Sequence, residues 1–319
     1  MSSPRVVALG GGHGLAASLG ALRRLTDRLT AIVTVADDGG SSGRIRRELD
    51  AIPPGDLRMA LSALAGADRG DWEALLQHRF GGSGALAGHP VGNLIITGLA
   101  ELTGDTVRAL ELAGELLGAV GRVLPMSTVP LEIVAEVADI DDEPGVTRLI
   151  RGQVAVASTP GRVLSVTVLP ADPPACPQAV AAVLAADYVV LGPGSWFTSV
   201  LPHLMVPDLG AALHHTRARR VVALNLEPQV GETDGFSPQK HLDVLCAHAP
   251  KLQIDVVVAD TAAVPDPRAL AAEVERIGAR LVLAPVAAAG ESARHDPELL
   301  AAAYATVFEG GGSRMVGVL

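Results

Sequence analysis

Aromatic residues are scarce in this chain. Only two Trp, two Tyr and four Phe occur among 319 residues, although 49% of the residues are hydrophobic. The core must therefore be built from Ala, Val, Leu and Ile, and aliphatic runs of this kind suit strands covered by helices on both faces. Cysteine is nearly absent. Cys176 and Cys246 are far apart and form no C-x-x-C pair, which excludes a disulfide scaffold and fits a reduced, cytoplasmic protein. Basic charge is also in deficit, with 25 Lys and Arg against 35 Asp and Glu and a net charge of −10. That excludes a broad nucleic-acid surface but not a small anionic ligand held by local backbone. No apolar run reaches the ~18 residues of a membrane span, and Met1-Ser2-Ser3-Pro4-Arg5 has no signal-peptide h-region. The nine histidines are scattered and include no H-E-x-x-H, so a zinc site is not expected.

What is present is punctuated by glycine. Val6 to Leu9 is an apolar strand running into Gly10, Gly11, Gly12, His13 and Gly14. Leu15, Leu19 and Leu22 then fall on one helical face. A strand, glycine turn and helix in this order frees backbone N–H groups at a helix N-terminus, where the dipole favours negative charge. The turn is either a phosphate cradle or a plain tight βα turn, since its spacing is neither a clean G-x-G-x-x-G nor the lysine-bearing P-loop.

A second strand, Thr30–Ala36, ends in Asp37, Asp38, Gly39, Gly40, Ser41, Ser42 and Gly43, read as a polar loop. An acid after the second strand of a Rossmann unit meets ribose, and a pair of acids alternatively holds Mg²⁺. Capping and an Asx-turn are the structural alternatives. Asp56 reads as the N-cap of the next helix, and Arg58 in that first turn is badly placed for the dipole, a weak hint of a nearby anion. His89 and Asn93 head the apolar helix Leu94–Leu102, as caps or as ligands. The region 121–169 reads as a β-rich insertion with strands Val129–Val137, Gln153–Ala157 and Arg162–Val168 and an acidic turn over 139–145. The strand Asp187–Leu191 runs into Gly192, Pro193, Gly194 and Ser195, a second glycine turn before the helix-like Trp196–Leu204. Ser195 is a natural N-cap, yet the turn is also an anion site in principle. Asn225 ends the strand Arg220–Leu224, and Gln229, Gly231, Glu232 and Thr233 form a polar loop after it. Ligands of open α/β sheets bind at the carboxyl ends of strands, so these loops are expected to share one crevice. The expected architecture is one domain over 1–319: a three-layer, Rossmann-like α/β body with a mainly parallel sheet and the β-rich insertion.

Taken jointly and in order, several blocks resemble the YvcK proteins, the gluconeogenesis factors also filed as UPF0052. They are Gly10–Leu15, Asp37–Arg44, Pro54–Arg58, Gly88–Leu94, Leu191–Ser195 with Thr198–Pro202, and Asn225 with Gly231–Thr233. The family is related to CofD, the 2-phospho-L-lactate transferase. The resemblance implies a cytoplasmic bacterial protein that binds a UDP-sugar such as UDP-N-acetylglucosamine and is needed for gluconeogenic growth and cell shape. It also implies a partner in peptidoglycan synthesis, and a homo-oligomer is expected. On this reading Gly10 to Gly14 take the diphosphate, Asp37 or Asp38 meets ribose or Mg²⁺, and Ser41, Ser42, Asn93, Gly192, Gly194, Ser195 and Asn225 line the crevice. Arg294 approaches the diphosphate. The rival expectations are a CofD-like, Mg²⁺-dependent transferase using a nucleotide-activated donor, and a site for an NAD-type nucleotide. His13 stands where many YvcK proteins carry a small hydroxyl residue. Pro297 follows the family-like Arg294-His295-Asp296, where it removes a hydroxyl that phosphorylation would need.

Overall fold

A computed structural model describes residues 3–140, 146–229, 232–290 and 293–310. The chain opens with β1 (Val6–Gly10), α1 (Gly12–Leu22) and β2 (Leu29–Val33). Five helices follow: α2 (Gly40–Leu49), α3 (Gly55–Leu64), α4 (Gly70–Gln77), α5 (Val91–Thr103) and α6 (Thr106–Leu117). Then come β3 (Arg122–Pro125), β4 (Glu132–Ala138), β5 (Thr147–Arg151), the short α7 (Gln153–Ala157), β6 (Arg162–Leu169) and α8 (Pro177–Ala185). Strand β7 (Tyr188–Leu191) leads into a π-helical turn, Trp196–Val200, and on to α9 (Pro202–Met205) and α10 (Pro207–His215). The last part alternates regularly through β8 (Arg219–Ala223), α11 (Pro238–His248), β9 (Val256–Asp260), α12 (Pro267–Arg276), β10 (Arg280–Ala284) and α13 (Pro297–Glu309).

Seven strands form one parallel sheet in the order β10-β9-β8-β7-β1-β2-β3. Alternation along each strand feeds two separate cores. Val7, Leu9, Val189, Leu191, Val222 and Val257 face one helical layer, while Val6, Ala8, Val190, Val221, Val256 and Val258 face the other. These residues are 2% exposed or less, and each buried Val or Leu contributes about 1.5–3 kcal/mol. This is the three-layer arrangement that the aliphatic composition predicts. From β1 the chain works outward through β2 to β3, then returns to β7 on the other side of β1. The carboxyl ends of β1 and β7 therefore flank a topological switch point, where a crevice opens in sheets of this kind.

The structure corrects several element assignments. β3 is not part of the insertion but the edge strand of the main sheet, paired in parallel with β2. The insertion is a three-stranded antiparallel sheet, β5-β4-β6, and β5 was not anticipated. Gln153–Ala157 is a helix rather than a strand: the Asp38 carboxylate accepts the Val154 N–H at 3.0 Å and caps its first turn, a tertiary contact that overrides local β-propensity. Ser41, Ser42 and Gly43 lie in the first turn of α2, not in a loop. Pro54, not Asp56, is the N-cap of α3. Of the expected acidic turn, only Asp139 and Ile140 fall within the described residues; Gly231 also lies outside them.

Candidate functional site

At the end of β1, Gly11 is the N-cap of α1 and has no side chain to cap it; the Asp56 carboxylate instead hydrogen-bonds the Gly12 backbone. The glycines of this turn do different work. A Cβ on Gly11 would collide with the Asp56 carboxylate and approach Thr34 Cγ2 to 2.6 Å, and one on Gly14 would strike the Pro193 carbonyl and lie 2.7 Å from Gly194 Cα. Gly14 thus lets the two glycine turns touch. Gly12 adopts φ +57°, and a Cβ there would meet nothing within 4 Å. That position opens onto free space in a conformation that favours glycine. His13 beside it is exposed.

The second turn, at the end of β7, is held by side chains from three directions. Asn225 clasps the Gly194 backbone, its Oδ1 accepting the Gly194 N–H at 2.8 Å and its Nδ2 donating to the Gly194 carbonyl at 2.9 Å. Ser18 of α1 donates to the Gly192 carbonyl at 2.9 Å, and Tyr304 of α13 meets the Ser18 hydroxyl at 2.8 Å. Ser195 caps the π-helical turn by accepting the Thr198 N–H at 3.1 Å, and donates to Glu232 Oε1 at 2.7 Å. Thr198 donates to the same oxygen at 3.2 Å. Glu232 is buried. Burial pushes its carboxyl pKa up, against the opposing bonds from Ser195, Thr198 and the Phe197 backbone.

The acidic loop divides its aspartates. Asp37 accepts the Gly39 N–H at 2.9 Å in an Asx-turn, whereas Asp38 is turned to α7. The partner that Asp37 faces across the site is Asp56 on α3. A Cβ on Gly55 would lie 3.0 Å from Asp37 Oδ2 and would collide with Ser42 Oγ, which accepts the Gly55 N–H at 3.1 Å. Burial, with the Asp37 charge adding to it, raises the Asp56 pKa from 3.8 to about 7, opposed by the Gly12 backbone and Arg58. Among the described residues no group of three or more His, Cys, Asp or Glu is placed to hold a metal. The Asp37–Asp56 pair next to the Ser42 hydroxyl nonetheless suits a hard, oxygen-preferring cation such as Mg²⁺, which keeps several of its waters.

Ser41 and Asn93 meet each other. Asn93 Nδ2 donates to Ser41 Oγ at 3.0 Å, Ser41 shares a 2.7 Å hydrogen bond with His89 Nδ1, and Arg58 Nε donates to Asn93 Oδ1 at 2.9 Å. All four residues are buried. Burial, then the Arg44 charge, lowers the His89 pKa, which favours the neutral ring beside Ser41. Arg294 is exposed. Its carbonyl accepts the Ala288 N–H at 2.8 Å, and the adjoining His295 ring meets the Leu224 carbonyl at 3.3 Å, which sets this segment at the end of β8.

The structure thus brings Gly10 to Gly14, Gly192, Gly194, Ser195 and Asn225 to one place, and sets Asp37 and Ser42 against that place through Asp56. Ser41 and Asn93 belong to an adjoining network. Sequence reasoning passed over Asp56 as a cap and Glu232 as a loop residue. The available signal was the Asp56-Leu57-Arg58 step itself, two ionisable groups at the head of an otherwise apolar helix. Asp260 was missed as well. It ends β9 and accepts the N–H groups of Ala262, Ala263, Val286 and Ala287, which ties β9 to the loop after β10. No helix among the described residues is long and apolar enough to cross a membrane.

Known proteins resemble the chain at every level. The family model for 2-phospho-L-lactate transferase CofD matches residues 6–286. A Mycobacterium tuberculosis protein named "Putative gluconeogenesis factor" is 57% identical over 302 residues, covering 93% of this chain and 88% of that one. The gluconeogenesis factor of Listeria monocytogenes is 39% identical over 264 residues, covering 83% and 80%. The crystal structure of a UPF0052 family protein from Bacillus halodurans superimposes with a TM-score of 0.85 at 32% identity, covering 95% of this chain and 99% of that one. The chain belongs to the CofD family, alongside the UPF0052 proteins and the gluconeogenesis factors.

Proposed function

We propose that the protein binds a nucleotide-sugar of the UDP-N-acetylglucosamine kind and acts in the cytoplasm as a regulator of gluconeogenic growth, cell shape and peptidoglycan synthesis. It does so as a homo-oligomer with a protein partner in cell-wall synthesis. The observation that carries the reading is Gly12, open to free space on its side-chain face at the N-terminus of α1 on the switch point of the sheet. Backbone N–H groups and the α1 dipole there favour a diphosphate. The relatives named gluconeogenesis factors support the regulatory half. Titration calorimetry with UDP-N-acetylglucosamine, with and without Mg²⁺, followed by analysis of the recovered ligand, tests it. Saturable binding of intact ligand is expected. In Gly12→Asp, whose residue type tolerates a left-handed backbone, a carboxylate replaces the open space and binding is lost while the fold persists. Binding retained in that variant, or no binding by the natural chain, overturns the assignment; in the second case an NAD-type nucleotide is titrated next.

A second reading, a Mg²⁺-dependent transferase using a nucleotide-activated donor, is favoured by Asp56. This acid faces Asp37 and lies directly under Gly11. A bound Mg²⁺ would neutralise phosphate charge; the residues themselves position it, with Ser42 fixing the start of α3 beside the pair. Consumption of the donor that requires Mg²⁺ and disappears in Asp56→Asn would establish this reading over the first.

A further inference from the structure

Arg58 is 4% exposed, and among the described residues no carboxylate contacts it; Asp56 is the acid whose charge favours it, from a distance. Nε is satisfied by a neutral partner, Asn93 Oδ1. Among the described residues its two Nη groups make no hydrogen bond or ion pair. Asp56, two residues earlier, is turned toward Gly11 and Asp37 instead. The surroundings add positive charge. The Arg79 guanidinium is near enough to repel Arg58. The Arg58 stem lies against the first turn of α5, since a Cβ on Gly92 would sit 2.9 Å from Arg58 Cδ. α5 is thirteen residues long; at its N-terminus the Val91 N–H donates to the His78 carbonyl at 2.9 Å and the Asn93 N–H to the Pro90 carbonyl at 3.1 Å, and the buried cation lies at the positive end of the helix dipole. A buried charge with no carboxylate in contact is costly. Arginine's planar fork is suited to a bidentate oxyanion, phosphate or carboxylate.

We propose that Arg58, with Arg79 and the N-terminus of α5, forms a second anion subsite that takes the phosphate or carboxylate group of a small ligand. The subsite lies on the far side of Asp56 from the glycine turns and is separate from the place proposed for the nucleotide. Asn93 positions it: its Oδ1 fixes the Nε edge of the guanidinium, its Nδ2 is tied to Ser41, and Ser41 is tied to His89. The remaining Nη edge is left for the ligand. The pair of sites suits a protein that senses two ligands or joins them, and the inference stands whether or not the glycine turns bind nucleotide.

Thermal unfolding of the whole chain with rising inorganic phosphate, at ionic strength matched with potassium chloride, tests the proposal. Phosphate is expected to raise the melting temperature saturably in the natural chain, and an Arg58-dependent part of that rise is expected to persist in Gly12→Asp, which bars phosphate from the first turn. In Arg58→Met the apparent affinity falls about tenfold or more, the expected loss of charge-assisted hydrogen bonds. Without phosphate, Arg58→Met melts lower than the natural chain, because it leaves the buried Asn93 Oδ1 without its donor, so the phosphate response is read as the shift within each variant. Asn93→Asp places a carboxylate on Nε and is also expected to abolish the response, which keeps the test decisive if Arg58→Met folds poorly. Repeating the titration with acetate separates a carboxylate subsite from a phosphate one. A phosphate response undiminished in Arg58→Met and Asn93→Asp, or one lost in Gly12→Asp alone, or no response in the natural chain, overturns the proposal. Failure of UDP-sugar binding with an Arg58-dependent phosphate response would remove the proposed function and leave this subsite standing.

Discussion

Replacing Asp56 by Asn should stabilise the protein, and only on the alkaline side. The Asp56 carboxyl is raised from 3.8 to about 7, first by burial and second by the Asp37 charge. Each pH unit between the unfolded and folded pKa is worth about 1.4 kcal/mol, so the full rise corresponds to about 4 kcal/mol. Some contact with solvent reduces this to about 2–4 kcal/mol. The folded chain holds this proton more tightly than the unfolded chain. Stability contributed by the protonated carboxyl is therefore present below pH 3.8 and is lost as pH rises through about 7. Asparagine keeps an acceptor toward the Gly12 backbone without the charge. Denaturant unfolding of both proteins in EDTA, which keeps divalent cations from replacing the proton, reads the difference at several pH values. We expect Asp56→Asn to gain about 2–4 kcal/mol above neutrality, with the gain shrinking to nothing toward pH 4. Equal stability at alkaline pH, or a gain independent of pH, would refute the argument from burial and like charge. Added Mg²⁺ should then stabilise the natural chain at alkaline pH and leave the variant unmoved.

Two further substitutions probe how the glycine turns are assembled. Gly14→Ala inserts a methyl group into backbone that cannot yield, so it should cost about 3 kcal/mol or more by overpacking and weaken nucleotide binding, read by urea unfolding and calorimetry together. Asn225→Ala removes both bonds to the Gly194 peptide, at about 1 kcal/mol each. It should lower stability by about 2 kcal/mol while Gly12→Asp, measured beside it, loses binding at little cost in stability.

The parallel sheet was legible because its strands are short, aliphatic and bounded by glycine. Val6–Gly10 and Tyr188–Leu191 declare themselves by composition alone, as does the place where both glycine turns meet. What stayed hidden depends on contacts distant in sequence. Gln153–Ala157 looks like a strand until Asp38, more than a hundred residues away, caps it. Arg122–Pro125 reads as part of the insertion because only pairing with β2 assigns it to the main sheet. Asp56 carries the signature of a helix start, and that local explanation sufficed until the fold set it beneath Gly11 and opposite Asp37. Glu232 stood out only as part of a polar loop and of a family-like block, because its partners are the hydroxyls of Ser195 and Thr198 on another segment.

Glu232 also bears on ligand choice. The head of the π-helical turn after the second glycine turn already holds a carboxylate, bound intramolecularly by Ser195 and Thr198. A ligand phosphate arriving there competes with an acid tethered at high effective concentration and has to displace it into solvent. The two glycine turns, alike in sequence, each hold a carboxylate of the chain itself, Asp56 at the Gly12 backbone and Glu232 at Ser195. An anion entering either turn would meet a carboxylate already there, and protonation or a cation at Asp56, whose pKa is raised to about 7, is what would open the first.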